Sequence, residues 1–154
     1  MIKLSELDLL VYDCDGVLTD NRVWLSEDGK ETVAFNRSDG LAINYLRKKG
    51  VKQIILSTEV NPVVRKRAEK LHIECINGVE DKLEMLKKYL TEKNMMISKV
   101  LYVGNDINDL EVMQQVGIPI APSDAHHSIR QIARIITHTK GGEGVIREIY
   151  DLME

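Results

Sequence analysis

Short apolar runs that alternate with helical repeats dominate the pattern of hydrophobic and polar positions along the chain. The runs LLVY (9–12), IILS (54–57) and VLYVG (100–104) are nearly continuous, which is typical of strands buried on both faces of a parallel sheet. Between such runs, apolar residues recur at helical spacing, for example at Leu86 and Leu90. The alternation predicts an α/β fold in which right-handed crossovers place helices on both faces of one parallel sheet.

Capping and turn residues predict where the elements begin and end. Ser38 is expected to cap a helix that Gly50 terminates. Asn61 and Pro62 are expected to begin a helix that runs to about Leu71. Further strands are predicted at 74–76, 118–121 and 133–137, and further helices at 79–94, 107–117 and 145–153. Together the elements predict a doubly wound, Rossmann-like sheet, formed by residues 1–154 as a single domain.

One segment departs from the alternation of strands and helices. The stretch RVWLSEDGKETVAFN, at 22–36, places two short β-rich runs around EDG, which is the pattern of a β-hairpin. The sequence therefore predicts a small hairpin insertion after the first strand.

The composition narrows the possible partners and surroundings. Apolar residues make up 44% of the chain and charged residues 29%, as in an ordinary soluble globular protein. The formal net charge of −3 offers no general attraction for nucleic acid or an anionic membrane, so neither is expected as a partner. Cys14 and Cys75 are too few for a disulfide framework, and no signal peptide or membrane-spanning run is recognisable. A cytoplasmic location is expected.

Acidic residues follow two of the predicted buried strands. Asp13 and Asp15 come directly after the first strand. Asp106 and Asp109 lie in GNDIND, after the run VLYVG. Because ligands bind at the carboxyl ends of the strands in such sheets, these carboxylates are expected to meet at one edge, together with Ser57. Buried carboxylates repel one another, so a cation must compensate them; oxygen ligands favour Mg²⁺, which also binds phosphate groups.

Each of these residues has an ordinary structural role when it is taken alone. A single acid at the end of a strand usually forms a turn or caps a helix, and a hydroxyl group such as that of Ser57 often does the same. Lys82, the one obvious countercharge to the acids, resembles any solvated lysine on a helix. The repetition of paired acids after two strands weakens the purely structural interpretation.

In this order the residues resemble the motifs of the haloacid dehalogenase superfamily. The first motif, DxDGVxTD, corresponds to Asp13–Asp20, and the fourth motif corresponds to Gly104–Asp109. The hydroxyl group of the second motif corresponds to Ser57, and the lysine of the third motif corresponds to Lys82. The resemblance covers essentially the whole chain. One departure is Asn105, where many members of the family carry an acid.

The resemblance implies a phosphatase that acts through a covalent aspartyl-phosphate. Asp13 is then the nucleophile. Asp15 protonates the leaving alcohol and afterwards activates the hydrolytic water. Ser57, Thr58 and Lys82 bind the oxygens of the transferring phosphoryl group.

The resemblance also implies a Mg²⁺ site. In the family, the metal is held by the carboxylate of the nucleophile, here Asp13, and by the backbone carbonyl of the residue that corresponds to Asp15. Asp106 is expected to supply a further carboxylate ligand in spite of Asn105. Asp109 is expected to support this site or to orient the lysine of the third motif.

The hairpin, without room for a large cap domain, resembles the capless 3-deoxy-manno-octulosonate 8-phosphate phosphatases and their sialic-acid relatives. The expected substrate is thus a phosphorylated 2-keto-3-deoxy sugar acid of lipopolysaccharide or sialic acid biosynthesis. The resemblance also implies a homotetramer, in which hairpins pack together and a neighbour's glycine-rich tail helps to close the site. The stretch KGGEGVIRE, with Gly141, Gly142, Gly144 and Arg147, resembles that tail.

The residues after Ser57 bear on the size of the sugar. Octulosonate phosphatases typically have Gly-Arg after the motif hydroxyl, whereas this chain has Thr58 and Glu59. Glu59, Arg65 and Lys70 are the candidate specificity residues, and Glu59 with Lys70 resembles the nine-carbon branch. A glutamate accepts hydrogen bonds from the additional hydroxyl groups of a longer sugar. A preference for a nonulosonate 9-phosphate over the octulosonate 8-phosphate is therefore expected.

Two alternatives without this catalytic activity fit part of the pattern. A phospho-acceptor receiver domain also gathers acids and a lysine around Mg²⁺, but it needs an aspartate where Ser57 ends the second strand. A degenerate phosphatase-like domain that only mediates oligomerisation, as in some sialic-acid cytidylyltransferases, would have lost a catalytic acid. Every catalytic position is filled in this sequence. Turnover of a generic aryl phosphate with Mg²⁺ would separate the enzyme from both alternatives.

Overall fold

Strands and helices alternate along residues 2–154, which are the residues that the computed structural model describes. The strands are β1 (Leu9–Tyr12), β2 (Trp24–Leu25), β3 (Glu31–Thr32), β4 (Gln53–Leu56), β5 (Glu74–Ile76), β6 (Val100–Val103), β7 (Ile118–Ala121) and β8 (Ile135–Ile136). The helices are α1 (Arg37–Lys48), α2 (Pro62–Leu71), α3 (Lys82–Lys93), α4 (Leu110–Met113), α5 (His127–Ile132) and α6 (Val145–Asp151).

Six of the strands form one parallel sheet in the order β5-β4-β1-β6-β7-β8. β1 lies at the centre, where Val11 pairs with Ile54 on one side and with Tyr102 on the other. All four residues of β1 are fully buried, because helices cover both faces of the sheet. β1, β4 and β5 form one half of the sheet, and the chain then returns through α3 to form β6 on the other side of β1. β1 and β6 thus flank a topological switch point, and ligands bind at such points in sheets of this kind. The predicted doubly wound sheet is confirmed.

Two apolar cores flank the sheet. On one face α1, α2 and α6 pack against Leu10 and Tyr12 of β1. On the other face α3, α4 and α5 pack against Leu9 and Val11. The division follows from the two-residue period of a strand, which sends successive side chains to opposite faces. Within residues 2–154, no helix has the length and apolar character needed to cross a membrane.

Two predicted helix boundaries need correction. Asn61 caps α2 and Pro62 stands in its first turn, as expected. The cap of α1 is Asn36, however, because its Oδ1 accepts a hydrogen bond from the Ser38 amide at 2.9 Å. The helix predicted at 107–117 is also shorter than expected, since α4 ends four residues before Gly117 and the chain then turns into β7.

The predicted hairpin is formed by β2 and β3, with Trp24 opposite Thr32. Three consecutive apolar residues of the hairpin segment are open to solvent: the exposed fractions are 51% for Val23, 77% for Trp24 and 67% for Leu25. Between β1 and α1, the described chain contains no other inserted strand or helix beyond a tight turn after β1. The expectation of a hairpin without a large cap domain is therefore confirmed.

The glycine-rich stretch before α6 packs tightly against its own chain. The Gly142 amide donates to the Val17 carbonyl at 2.9 Å, and the Gly141 amide donates to Asp124 Oδ1 at 2.9 Å. A Cβ atom at Gly141 would overlap the carbonyl oxygen of Gly16. Within the single chain, Gly141 and Gly142 therefore brace the loop that follows β1 and do not form a free tail.

The helix after these glycines belongs to the core. Gly144 precedes α6 with a φ of 104°, a conformation that glycine adopts readily, and Ile146 and Ile149 are fully buried. The Arg147 amide donates to the buried Asp39 carboxylate at 3.0 Å, which ties α6 to α1. A helix packed in this way cannot swing toward a neighbouring subunit without disrupting the fold.

We expect Gly141→Ala to destabilise the protein, because the added methyl group overlaps backbone atoms of the loop after β1. Overpacking of this kind costs about 1–3 kcal/mol, which corresponds to a fall in Tm of about 2–12 °C. Thermal unfolding followed by circular dichroism measures the change. An unchanged Tm would contradict the tight packing.

Gly40→Ala is the matched control for this substitution. A Cβ atom at Gly40, within α1, meets only side-chain atoms, at 3.4 Å. Because alanine is the better helix former, the Tm of this variant should hold or rise.

Candidate active site

The carboxyl ends of the central strands surround an open cavity of about 520 Å³. Polar side chains line most of it, and they come from the loops after β1, β4 and β6 and from the hairpin. The structure thus brings the predicted residues Asp13, Asp15, Ser57 and Thr58 to one place. The full lining consists of Asp13, Asp15, Asn21, Val23, Glu31, Ser57, Thr58, Glu59, Asn105, Asp106, Ile107 and Asn108.

The loop after β1 sets the positions of the first two acids. The Asp13 amide donates to the Val103 carbonyl at 2.9 Å, so Asp13 extends the central ladder by one residue. Gly16 follows with a φ of 85°, which turns the chain sharply behind Asp15. The Thr19 hydroxyl donates to Asp15 Oδ1 at 3.4 Å. Both carboxyl groups therefore face the cavity on a short and rigid segment.

Lys82 lies between two buried carboxylates. Its Nζ donates to Asp13 Oδ1 at 2.9 Å and to Asp109 Oδ1 at 2.7 Å. The three residues are nearly fully buried, with exposed fractions of 5% or less. Because a buried charge without a partner is strongly destabilising, each member of this group depends on the others. Lys82 is therefore not a solvated lysine on a helix surface.

Burial and neighbouring charges shift the proton affinities of the acids and of the lysine. Burial and the nearby Asp109 raise the pKa of Asp13 to about 7, against the opposing effect of Lys82. Burial alone would lower the pKa of Lys82, but the two carboxylates outweigh it and raise this pKa above its usual value. Burial, followed by the charge of Glu59, also raises the pKa of the half-buried Asp15. Lys82 thus stays protonated, and the raised pKa of Asp15 favours the form of this carboxyl group that can donate a proton.

Asp109 is held from several sides. The Tyr102 hydroxyl donates to Asp109 Oδ1 at 2.8 Å, and the backbone N–H of Asn105 donates to Asp109 Oδ2 at 2.9 Å. Asp109 is completely buried, so these bonds and Lys82 replace its hydration. This geometry is that of a residue that orients Lys82, which is one of the two roles expected for Asp109.

The side chain of Asn105, and not that of the expected metal ligand Asp106, lies next to Asp13 and the Asp15 carbonyl. One terminal atom of its amide lies 2.9 Å from the Asp15 carbonyl oxygen and 3.0 Å from Asp13 Oδ2. Asp106 lines the outer wall, where its Oδ1 accepts from the Ile107 amide at 2.7 Å and caps a turn. Within residues 2–154, no three His, Cys, Asp or Glu side chains gather closely enough to hold a metal ion. In this structure it is therefore Asn105, and not Asp106, whose side chain lies beside Asp13 and the Asp15 carbonyl.

The atoms around Asn105 fit a hard cation such as Mg²⁺. A carboxylate oxygen of Asp13, the carbonyl oxygen of Asp15 and the amide oxygen of Asn105 are all oxygen donors, which is the ligand type that Mg²⁺ prefers. In an octahedral site with bonds of about 2.0–2.1 Å, adjacent ligand oxygens lie about 2.8–3.0 Å apart. The separations of 2.9 and 3.0 Å match that spacing.

The loop after β4 presents hydroxyl groups on another wall of the cavity. Ser57 is buried, and its Oγ accepts from the Glu59 amide at 3.1 Å, so the hydroxyl proton is left for a ligand. Thr58 Oγ1 accepts from Asn108 Nδ2 at 3.4 Å. Glu59 lines the cavity, although its Oε1 accepts from the amides of the next two residues. One carboxylate oxygen of Glu59 is thus committed to its own loop.

Three of the predicted residues do not reach the cavity. Arg65 Nη2 donates to Asn77 Oδ1 at 3.0 Å, and Arg147 Nε pairs with the Asp151 carboxylate at 3.2 Å. Lys70 is exposed near the end of α2, about 12 Å along the helix from its start. Within the single chain these three side chains therefore lie away from the cavity, and their proposed contacts with a substrate stay predictions.

Comparisons with known proteins agree with this geometry. A family model described as haloacid dehalogenase-like hydrolase matches residues 41–149. The 3-deoxy-D-manno-octulosonate 8-phosphate phosphatase KdsC of Salmonella typhi is 33% identical over 154 residues, which cover 99% of this chain and 82% of the relative.

Two solved structures show the same similarity. The 3-deoxy-D-manno-octulosonate 8-phosphate phosphatase of Moraxella catarrhalis, in complex with a magnesium ion, a phosphate ion and a KDO molecule, is 30% identical, with a TM-score of 0.93. The alignment covers 97% of this chain and 86% of that one. The enzyme of the same name from Yersinia pestis is 33% identical, with a TM-score of 0.92 and coverage of 97% and 81%.

Removal of the Lys82 charge should destabilise the protein strongly. In Lys82→Met, Asp13 and Asp109 stay buried without their shared cation, and breaking a buried pair costs about 3–5 kcal/mol. We expect Tm to fall by about 6–20 °C in thermal unfolding with a chelator present. Lys88→Met, on the exposed side of the same helix, is the control and should change Tm by less than about 2 °C. Equal Tm values for the two variants would show that the carboxylates do not depend on Lys82.

Proposed function

The chain belongs to the haloacid dehalogenase-like hydrolases, and from this premise we propose that it is a magnesium-dependent phosphatase of a 2-keto-3-deoxy sugar acid phosphate. The observation that carries the proposal is the buried group of Asp13, Lys82 and Asp109 at the open edge of the sheet. Relatives that share the fold over nearly the whole chain are named as phosphatases of this class. Residues 1–154 act as one domain in this proposal.

Asp13 is the nucleophile in the proposed reaction. A carboxylate oxygen of Asp13 attacks phosphorus, the bond between phosphorus and the ester oxygen breaks, and an acyl phosphate forms on Asp13. Lys82 holds the carboxylate in place and offsets the negative charge that gathers around phosphorus. The hydrogen bond from the Asp13 amide to Val103 keeps the nucleophile on the rigid centre of the sheet.

Asp15 moves the protons of both half-reactions. It first donates a proton to the oxygen of the leaving sugar. It then accepts a proton from the water that attacks the acyl phosphate, which releases inorganic phosphate and restores the Asp13 carboxylate. The raised pKa of Asp15, caused by burial and by Glu59, supports the role as an acid in the first step.

The remaining groups bind the phosphoryl group. Ser57 and Thr58 donate hydrogen bonds to its oxygens from the loop after β4. Asp13, the carbonyl of Asp15 and the amide oxygen of Asn105 would hold Mg²⁺ on the other side. Bound there, Mg²⁺ neutralises negative charge on the phosphoryl oxygens.

Two sugar acids are candidates for the substrate. The relatives named above favour 3-deoxy-D-manno-octulosonate 8-phosphate. Nonulosonate 9-phosphate is the second candidate, because Glu59 lines the cavity together with Glu31. Carboxylates on this wall accept hydrogen bonds from the hydroxyl groups of a longer sugar. Both substrates share the phosphate ester on which the mechanism acts.

We also propose that the protein assembles as a homotetramer. Three consecutive apolar residues of the hairpin segment, Val23, Trp24 and Leu25, are open to solvent in the single chain. An adjoining group of exposed apolar side chains favours burial against another protein surface. Copies of the same hairpin are the proposed partners, and light scattering on the intact protein tests the mass. A monomer would contradict the assembly.

A cytoplasmic location is proposed as well. Cys14 and Cys75 are both free thiols, as in proteins of a reducing compartment. Cell fractionation with an antibody tests the location, and recovery in a secreted fraction would contradict it.

Asp13→Asn should abolish phosphate release while the fold persists. The amide keeps the shape of the side chain but is not a nucleophile, so turnover should fall by at least about 10⁴-fold. Colorimetric detection of phosphate measures the loss, and circular dichroism checks the fold. Asp20→Asn, an exposed acid on the same loop, is the control and should keep most of the activity. Substantial turnover by a folded Asp13→Asn protein would falsify the aspartyl-phosphate mechanism.

Chelation of divalent cations should abolish turnover, and added Mg²⁺ should restore it. Ca²⁺ should restore little, because its longer bonds and higher coordination number misplace the phosphoryl group. Since binding of an ion to the folded state alone stabilises that state, Mg²⁺ should also raise Tm. Equal rates with chelator and with Mg²⁺ would remove the metal from the mechanism.

Glu59→Arg should change the choice between the two sugar acids. An arginine on this wall favours a substrate carboxylate, whereas glutamate favours additional hydroxyl groups. We expect the ratio of kcat/KM for the nonulosonate to that for the octulosonate to fall by about tenfold in the variant. An unmodified protein with clearly higher kcat/KM for the eight-carbon substrate would contradict the nine-carbon preference, while the phosphatase would stand.

A further inference from the structure

We propose that the Asn105 side chain has two working orientations and sets the affinity of the site for Mg²⁺. Without a cation, its amide nitrogen donates to Asp13 and to the Asp15 carbonyl. With a cation bound, the amide turns over and its oxygen becomes a ligand. The inference rests on the Mg²⁺ site of the proposed function. It concerns Asn105, the asparagine that this chain carries where many members of the family have an acid.

The surroundings of the amide determine the first orientation. The terminal atom of Asn105 that lies 2.9 Å from the Asp15 carbonyl oxygen and 3.0 Å from Asp13 Oδ2 faces two acceptors. An oxygen in that place would meet two other oxygens without a proton between them, whereas the nitrogen donates to both. Asn105 is only 7% exposed, so water does not readily replace these bonds. Without a cation, the amide nitrogen therefore takes this position.

A cation at the same place reverses the preference. The Asp13 carboxylate and the Asp15 carbonyl then direct their lone pairs at the ion, and an N–H group directed at it is repelled. The amide oxygen has nearly the same size and position as the nitrogen, so half a turn about the Cβ–Cγ bond exchanges them. Asn105 thus offers a donor in one state and a ligand in the other.

The backbone around Asn105 allows this turn and little else. The backbone N–H of Asn105 donates to Asp109 Oδ2 at 2.9 Å, and the backbone N–H of His126 donates to the backbone carbonyl of Asn105 at 2.8 Å. A Cβ atom at Gly16 would overlap the Asn105 amide group, so the glycine leaves the room that the side chain uses. The side-chain torsion is therefore the degree of freedom that responds to the ion.

A carboxylate in this position would behave differently. An aspartate has no proton to donate at neutral pH, so three oxygen atoms would converge on one another without a cation. With a cation bound, the additional negative charge would strengthen binding, since affinity for hard cations rises with the charge of the ligands. Asn105 accordingly weakens Mg²⁺ binding and stabilises the protein without Mg²⁺.

The test compares Asn105→Asp with Asn105→Ala, using Mg²⁺ alone as the probe. Titration calorimetry gives the Kd, and thermal unfolding with a chelator gives the Tm without metal. Both variants lose the donated hydrogen bonds, so both Tm values should fall by at least about 3 °C. The Kd should move in opposite directions, about tenfold tighter for Asn105→Asp and about tenfold weaker for Asn105→Ala.

Two further variants separate coordination from the effect of a nearby charge. Asn108→Asp makes the same change of charge on the exposed rim of the cavity and should alter the Kd by less than about threefold. Asp106→Asn removes the acid that caps the turn, and it should weaken Mg²⁺ binding less than Asn105→Ala does. The proposal is overturned if Asp106→Asn has the larger effect, or if Asn105→Asp binds Mg²⁺ no more tightly than the unmodified protein.

The turn of the amide has its own spectroscopic readout. The ¹⁵N–¹H₂ signal of the Asn105 side chain can be assigned in the unmodified protein as the pair that Asn105→Ala lacks. Both protons should move upfield when Mg²⁺ is added, because they leave two hydrogen bonds to buried acceptors. If the two side-chain proton signals do not shift at saturating Mg²⁺, the proposed rotation of the amide group is wrong, even if one of the variants fails to fold.

The outcomes for the inference and for the proposed function are distinct. If the unmodified protein binds no Mg²⁺, the metal requirement of the proposed function is wrong, and the ligand role of Asn105 falls with it. If it binds Mg²⁺ and the Asn105 variants keep the same Kd, the phosphatase stands and only the inference about Asn105 is wrong.

Discussion

One lysine shared by two buried carboxylates is the interaction on which the rest of the site depends. Lys82 holds Asp13 and Asp109 at 2.9 and 2.7 Å in a place from which water is excluded. Because desolvation penalises an isolated charge by several kcal/mol, none of the three would stay ionised there alone. The Asp13 carboxylate, the proposed nucleophile, is therefore buried beside a compensating cation because Lys82 at the start of α3 reaches across to the end of β1.

The doubly wound sheet makes this arrangement possible. β1 and β6 are neighbours at the switch point, so the loops that follow them open at the same edge. The apolar side chains of the two strands exclude water beneath the site. Gly16 leaves room for the Asn105 side chain of the neighbouring loop, and Gly104 leaves room for the Asp109 carboxylate of its own loop. Glycines at Gly141 and Gly142 then close the back of the loop after β1. The scaffold thus supplies rigidity where the chemistry needs fixed positions.

The fold and much of the site could be predicted from the sequence, because the signals are local or repetitive. Apolar runs identified the parallel strands, and Asp13, Ser57 and Lys82 were identifiable from motifs that the fold brings together. Which of two adjacent polar residues lies beside Asp13 was harder to predict. Asn105 and Asp106 are adjacent on a tight turn, and which of them faces inward depends on how Asp109 accepts hydrogen bonds from that turn. The separation of four residues between Asn105 and Asp109 was the available signal.

The surroundings of Gly141 and Lys70 depend on how separate segments pack together, which the sequence does not display. Clustered glycines look flexible, yet Gly141 is there because the backbone of Gly16 leaves no room for a side chain. Lys70 follows Glu59 closely in the sequence, but the rise of α2 carries it away from the cavity. In both cases the deciding quantity is a distance between segments, which depends on packing and not on composition.

The hydrogen bond from the Asp13 backbone amide to the Val103 carbonyl affects which parts of the protein open locally. It extends the central ladder of the sheet, so we expect the Asp13 amide proton to exchange with solvent much more slowly than the amide protons of exposed loops. The exposed hairpin that forms the opposite wall of the cavity lies outside that ladder, and its amides are free to exchange through local opening. The two walls of one cavity therefore differ in local stability, so the hairpin can open without loosening Asp13, the proposed nucleophile.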